Sequence, residues 1–230
     1  MFEMKESLPS STKVKISLAE AGAVSGLHDL PAKPQACFVF AHGAGAGMTH
    51  PFMAALATGL AHRGIATLRF QFPYMEQGSK RPDSPKVAQA AIRAAVLAAA
   101  QHMPGVPLFA GGKSFGGRMT TQAQAAEPLA QARGIVLVGF PLHAAGKPGI
   151  ERAAHLADVQ LPMLFLQGTR DTLADLELIR EVTSKLGRRA TLHIVDGADH
   201  SFHVPARSGR NDDQVREELL DTMAGWMKAQ

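Results

Sequence analysis

This chain predicts an α/β fold, a mostly parallel central sheet with helices on both faces, and three observations carry that reading. Six short runs of large apolar and β-branched residues alternate with longer stretches of helical periodicity. Each run is almost continuously apolar, the pattern of a strand buried on both sides. Hydrophobic residues make up 46% of the 230 and charged residues 19%, enough for a full core and too apolar for a disordered or fibrous chain. That length fits one domain.

The N-terminal 35 residues read differently from the rest. Residues 13–18 alternate like a half-exposed strand and a second short strand is expected near 23–27, so antiparallel edge strands join the same domain as a core spanning 36–230. The first ten residues read as disordered. The opening MFEMKESLPSSTK has no apolar stretch behind its charges, and no run approaches 18 apolar residues, so neither secretion nor a membrane span is expected.

The strands are expected at 36–41 (ACFVFA), 65–70 (IATLRF), 106–110 (VPLFA), 134–138 (GIVLV), 162–167 (PMLFLQ) and 190–195 (ATLHIV). Between them the helices carry their own punctuation. His50-Pro51 opens one, with Met53, Leu56 and Leu60 on one face and Gly64 as its stop. Ser84-Pro85 opens an alanine-rich one that runs from Lys86 to Gln101 and ends before Pro104. Leu173, Leu176, Ile179, Val182 and Leu186 form an apolar stripe closed by Gly187. Asn211, Asp212 and Asp213 supply a cap and an acidic first turn for a last helix presenting Val215, Leu219, Met223 and Trp226.

Charge narrows the function classes. The 24 basic and 20 acidic residues are spread along the chain without a basic tract, so nucleic acid is a poor partner despite the net +4. The one cysteine, Cys37, has no partner for an internal disulfide and sits in an apolar run as a small buried thiol, which points to a reducing, cytoplasmic compartment.

The segment that carries chemistry is Gly111-Gly112-Lys113-Ser114-Phe115-Gly116-Gly117, between a strand and a helix. G-x-S-x-G in that setting is what a nucleophile elbow needs, because a tight turn flanked by glycines lifts the serine hydroxyl above the sheet. A phosphate loop is the rival, since GKS also ends G-x-x-x-x-G-K-[ST]. It would need glycine where this chain has Pro107, which has no N–H to give a phosphate.

A serine hydroxyl needs a base, and the base needs a carboxylate to orient it. Beyond the strand at 162–167 lies Asp171, and beyond the strand at 190–195 lies His200. The order Ser114, Asp171, His200 is that of nucleophile, acid and histidine on strand ends of such a sheet. Asp175 or Asp199 remains open as the acid, Asp171 then capping a helix, and His203 remains the rival to His200. No histidine pair has the spacing of a zinc-binding helix, and no metal or organic cofactor is expected. The developing oxyanion calls for two backbone donors: the N–H of Phe115, and one from His42-Gly43-Ala44-Gly45-Ala46-Gly47, with Ala44 favoured.

At these residues the chain resembles the α/β-hydrolase superfamily. More narrowly it is similar to bacterial proteins grouped with testis-expressed protein 30 and NSL-complex subunit 3. AHGAGAG (41–47), RFQFPYME (69–76), RPD (81–83), GGKSFGGRM (111–119), FPLHAAGKPG (140–149), LFLQGTRD (164–171) and DGADHSF (196–202) carry that likeness, from about residue 36 to the C-terminus. The resemblance implies a serine hydrolase fold with Ser114, Asp171 and His200 as its triad. It also supplies the competing class, a non-catalytic protein-interaction module, because part of that group serves in complexes.

About two dozen residues separate the strand at 134–138 from the one at 162–167, too few for a large helical cap. An open site is expected, acting on a small-molecule ester or thioester, with Phe72, Tyr74, Leu142 and His143 as candidate wall residues for substrate binding. Lys113, Arg118, Arg170, Lys147 and Arg81 would lie near the active face, where a cationic rim would favour anionic esters; salt bridging to Asp83 and Asp175 is the plainer reading.

Overall fold

The computed structural model describes residues 10–19, 22–129 and 131–230. The disorder expected at the N-terminus falls on residues 1–9, outside the described residues, except at Ser10, which opens the first strand. Strands β1 (Ser10–Leu18) and β2 (Gly22–Leu30) pair antiparallel, and β2 continues antiparallel onto β4 (Ile65–Phe70). From there the sheet is parallel through β3 (Ala36–Ala41), β5 (Leu108–Lys113), β6 (Ala132–Val138), β7 (Met163–Gly168) and β8 (Ala190–Val195). The spatial order is β1-β2-β4-β3-β5-β6-β7-β8.

Alternation along β3 shows why the run ACFVFA has no polar residue. Cys37, Val39 and Ala41 pack into the core on one side of the sheet, beneath helices α3 (Pro85–His102) and α4 (Phe115–Ala126). Ala36, Phe38 and Phe40 pack on the other, under α1 (Pro51–His62) and the C-terminal helix Asp212–Lys228, while the short α2 (Pro73–Glu76) follows β4. A third cluster joins β6 and β7 to the helix Leu176–Leu186 and a 3-10 helix, Glu151–Asp158. That 3-10 helix is the only helical element described between β6 and β7, so no cap domain stands over the strand ends.

Three expectations shift. The strand expected at 106–110 begins at Leu108 and continues through Gly111, Gly112 and Lys113, because β3 and β6 flank it and pair with it on both edges. Ladder hydrogen bonds from two neighbours outweigh the poor strand propensity of glycine. Pro162, with no N–H, stays outside β7 and offers its carbonyl to the N–H of Ile135. Leu173 does not share the following helix: that helix starts at Leu176, capped by Asp175, whose Oδ1 accepts from the N–H groups of Glu177 (3.0 Å) and Leu178 (3.1 Å).

Candidate active site

The C-terminal edges of β3, β5, β7 and β8 converge on Ser114. At the end of β5 the chain turns so sharply that Ser114 takes φ 49° and ψ −114°, a conformation costing about 1–3 kcal/mol in a non-glycine residue. The flanking glycines make the turn possible. A Cβ at Gly112 would stand 2.4 Å from the Ala41 carbonyl oxygen, and one at Gly116 would stand 2.5 Å from the same atom. Both contacts are with backbone, which cannot move aside.

Ser114 Oγ lies 2.9 Å from His200 Nε2, and His200 Nδ1 lies 2.7 Å from Asp171 Oδ2. The ionised carboxylate only accepts, so Nδ1 carries the proton and Nε2 is left to accept from the serine hydroxyl. Asp171 is buried, with Oδ1 accepting from the N–H of Leu173 (2.8 Å) and Oδ2 also accepting from Gln167 Nε2 (2.5 Å). The other end of the Gln167 amide accepts from the N–H of Phe140 (3.1 Å), so this glutamine ties the carboxylate to the loop after β6. Nothing in the sequence reading singled out Gln167; an amide inside the apolar run PMLFLQ was the available signal.

The alternatives for acid and base are placed elsewhere. Asp175 caps a helix, as above. Asp199 folds back on its own turn, with Oδ1 accepting from the N–H groups of Ser201 (2.8 Å) and His203 (3.0 Å), and so shapes the loop that holds His200. His203 pairs with Asp212 (2.8 Å) on the surface.

Lys113 is the most altered of the expected rim cations. Its side chain runs inward, donating from Nζ to the His200 carbonyl oxygen (2.6 Å), with the ammonium 5.5 Å from the centre of the Phe202 ring. Burial lowers its pKa to about 8, against the opposing pull of Asp171 and Asp199. Arg81, Lys147 and Arg170 are exposed, as the rim reading needs, whereas Lys113 and Arg118 are partly buried.

Opposite the elbow runs the loop 42–47. A Cβ at Gly43 would stand 3.9 Å from Ser114 Cβ, which measures how closely this loop approaches that serine. The N–H of Phe115 belongs to the first helical position of α4, where no intrahelical partner exists. Among the described residues no hydrogen bond takes up the N–H of Ala44. Its carbonyl accepts from the Tyr74 hydroxyl (2.8 Å), which holds this stretch of the loop in place. His42 Nδ1 donates to the Gly43 carbonyl (2.7 Å), leaving Nε2 to accept from the N–H of Phe72 (3.0 Å); burial holds this imidazole neutral, with its pKa lowered to about 4. Arg69, paired with Asp29 (Nη2–Oδ1 3.1 Å), donates to the Met48 carbonyl and anchors the loop's far end.

The four candidate wall residues all lie inside. Phe72 sits in an aromatic cluster with His42, Phe70, Tyr74 and Phe115, and Tyr74 bonds the 42–47 loop through its hydroxyl. Leu142 belongs to the core beside Phe140. His143 accepts from the N–H of Asp175 (2.8 Å). These contacts make them supports of the loops around Ser114. Among the described residues no three His, Cys, Asp or Glu side chains cluster to hold a metal, and no helix is long and apolar enough to cross a membrane.

Residues 34–228 match the family described as Alpha/beta hydrolase domain. The chain belongs to the α/β-hydrolase family. Solved structures of similar fold agree with that placement. The dienelactone hydrolase of Anabaena variabilis superposes with a TM-score of 0.75 at 20% identity, covering 96% of this α/β-hydrolase chain and 97% of that one. A serine hydrolase without a lid from Xanthomonas campestris gives 0.73 at 22% identity, covering 93% of each chain. The esterase domain of a Rhodothermus marinus protein gives 0.71 at 16%, covering 96% of this chain and 98% of that one.

Proposed function

We propose that this α/β-hydrolase is a serine hydrolase that cleaves a small carboxylic ester or thioester through an acyl-enzyme intermediate. The observation that carries the reading is the continuous hydrogen-bonded line from Ser114 through His200 to Asp171, mounted on a strained elbow. His200 Nε2 takes the hydroxyl proton as Ser114 Oγ attacks the carbonyl carbon. Asp171 stabilises the imidazolium that results, and the N–H groups of Phe115 and Ala44 receive the oxyanion. Collapse of the tetrahedral intermediate expels the alcohol or thiol, which takes the proton from His200. Water, deprotonated by the same imidazole, then releases the acid and restores Ser114.

Sequence likeness favours the narrower group with testis-expressed protein 30 and NSL-complex subunit 3 as its place in the family. Labelling with a fluorophosphonate probe tests the chemistry. Wild type is expected to label and Ser114→Ala not to; equal labelling of the two would defeat Ser114 as nucleophile and favour the non-catalytic interaction module instead. A chain-length series of p-nitrophenyl esters and matched thioesters then defines the substrate.

A further inference from the structure

One turn along α4 from the nucleophile stands Arg118, whose N–H donates to the Ser114 carbonyl (3.1 Å). Helical side chains tilt toward the helix N-terminus, which for Arg118 is the Ser114 turn. Its Nε is buried and has no hydrogen-bond partner. Three residues further along the same helix, Thr121 Oγ1 meets His155 Nε2 of the 3-10 helix Glu151–Asp158 (2.8 Å). Three residues before His155 stands Arg152. Both helical elements begin at the strand ends beside Ser114, one after β5 and the other after the loop beyond β6, and run away from them, so three residues back from this contact Arg118 and Arg152 lie on neighbouring turns nearer Ser114. Arg152 Nη1 donates to the His143 carbonyl (3.0 Å), which holds it against the loop after β6.

Two guanidiniums in a partly buried place repel each other, and among the described residues neither meets a carboxylate. Burial first, and then Arg152, lowers the pKa of Arg118. His155 brings no compensating negative charge: burial, then Arg118, lowers its pKa to about 4 and keeps it neutral. A pair of planar forks with free donors, at the positive end of a helix, is matched to a planar anion.

We propose that Arg118 and Arg152 form an anion subsite that receives a carboxylate carried on the acyl part of the ester. This specificity rests on the serine-hydrolase reading, with Ser114 attacking the ester carbonyl and position 118 one helical turn further along the chain, about 5–6 Å between side-chain attachment points. A four-carbon diacid monoester spans that separation. The acyl chain lies along the first turn of α4, its free carboxylate between the two guanidiniums and its ester carbonyl at Ser114.

Two esters of matched size, p-nitrophenyl butyrate and p-nitrophenyl hemisuccinate, test the assignment. The wild-type ratio of kcat/KM, hemisuccinate over butyrate, is expected to be about tenfold above one, and to fall by about tenfold or more in Arg118→Gln and in Arg152→Gln. Arg118→Lys, which keeps the charge and loses the fork, is expected to fall between. A ratio unchanged in both glutamine variants overturns the subsite. Succinate itself supplies a readout independent of turnover. It is expected to raise the thermal midpoint of the Ser114→Ala protein and to lose that effect when Arg152→Gln is added; no stabilisation of Ser114→Ala also overturns the subsite. Succinate stabilisation without hydrolysis of either ester supports the anion subsite and defeats the hydrolase reading instead. Should a glutamine variant fail to fold, the Arg118→Lys ratio and competition by succinate against butyrate hydrolysis in wild type decide the question.

Discussion

Two histidine–carboxylate pairs stand three residues apart at the end of β8, and their contact distances are nearly equal: 2.7 Å for His200–Asp171 and 2.8 Å for His203–Asp212. Their surroundings differ completely. The Asp171 side chain is 1% exposed and that of Asp212 is 54% exposed. In the first pair a buried carboxylate is held by Gln167 and the N–H of Leu173, and the far nitrogen of the imidazole meets a serine. In the second, water competes for both partners, and among the described residues the imidazole bonds Asp212 and no hydroxyl or thiol. Distance alone therefore does not set how firmly an imidazole is held. Burial fixes the tautomer and orientation of one imidazole, and solvent leaves the other free.

The largest effect expected from breaking this contrast is in Asp171→Asn. An amide at that position can donate to Nδ1 and turn the imidazole into the tautomer that cannot accept the Ser114 proton, so kcat should fall by on the order of 10⁴ with the fold retained. Ester hydrolysis and a thermal melt on the same preparation check both halves of that expectation.

A smaller effect concerns Lys113, which grips the carbonyl of His200, whereas that of His203 accepts from the backbone N–H of Asp199 (3.0 Å). Burial lowers its pKa from the ordinary 10.5 to about 8, so between those values the unfolded chain binds a proton that the folded one does not. Stability should accordingly rise with pH across that window, the cost of burying the charge being fully present below pH 8. Lys113→Met should abolish this slope, and should reduce kcat by about tenfold through a looser His200 loop. Thermal melts from pH 7 to 10.5 and kcat at pH 7 are the measurements; an identical slope in the two proteins would sink the expectation.

The smallest effect belongs to Asp212→Asn. The Asp212 carboxylate raises the pKa of His203, so their attraction is present below the ordinary histidine value and fades as pH rises through the raised one. Both groups are exposed, and kcat should stay within about twofold of wild type at every pH from 6 to 9.

Much of this arrangement was legible in the residues. Continuous apolar runs identified buried parallel strands, and glycines around Ser114 identified an elbow, because both are consequences of local sterics and of burial period. Helix starts followed from proline and cap residues for the same reason. Gln167 could not be found this way. An amide at the end of an apolar run has no local conformational signature, and its value appears only when Asp171 and Phe140, 4 and 27 residues away, are brought to its two ends. The wall residues escaped for a related reason: Phe72, Tyr74, Leu142 and His143 lie in loops near the strand ends, but inward or outward direction in a loop is set by packing, not by a period.

The order Ser114, Asp171, His200 along strand ends was thus a property of the sequence alone, since a parallel sheet with right-handed crossovers places those ends on one edge. Tertiary structure decided which acid and which histidine meet, turned Lys113 from a surface cation into a support, and set Arg118 beside Arg152. These depend on long-range packing in which burial changes the strength of every charge and hydrogen bond, and a one-dimensional pattern does not contain that information.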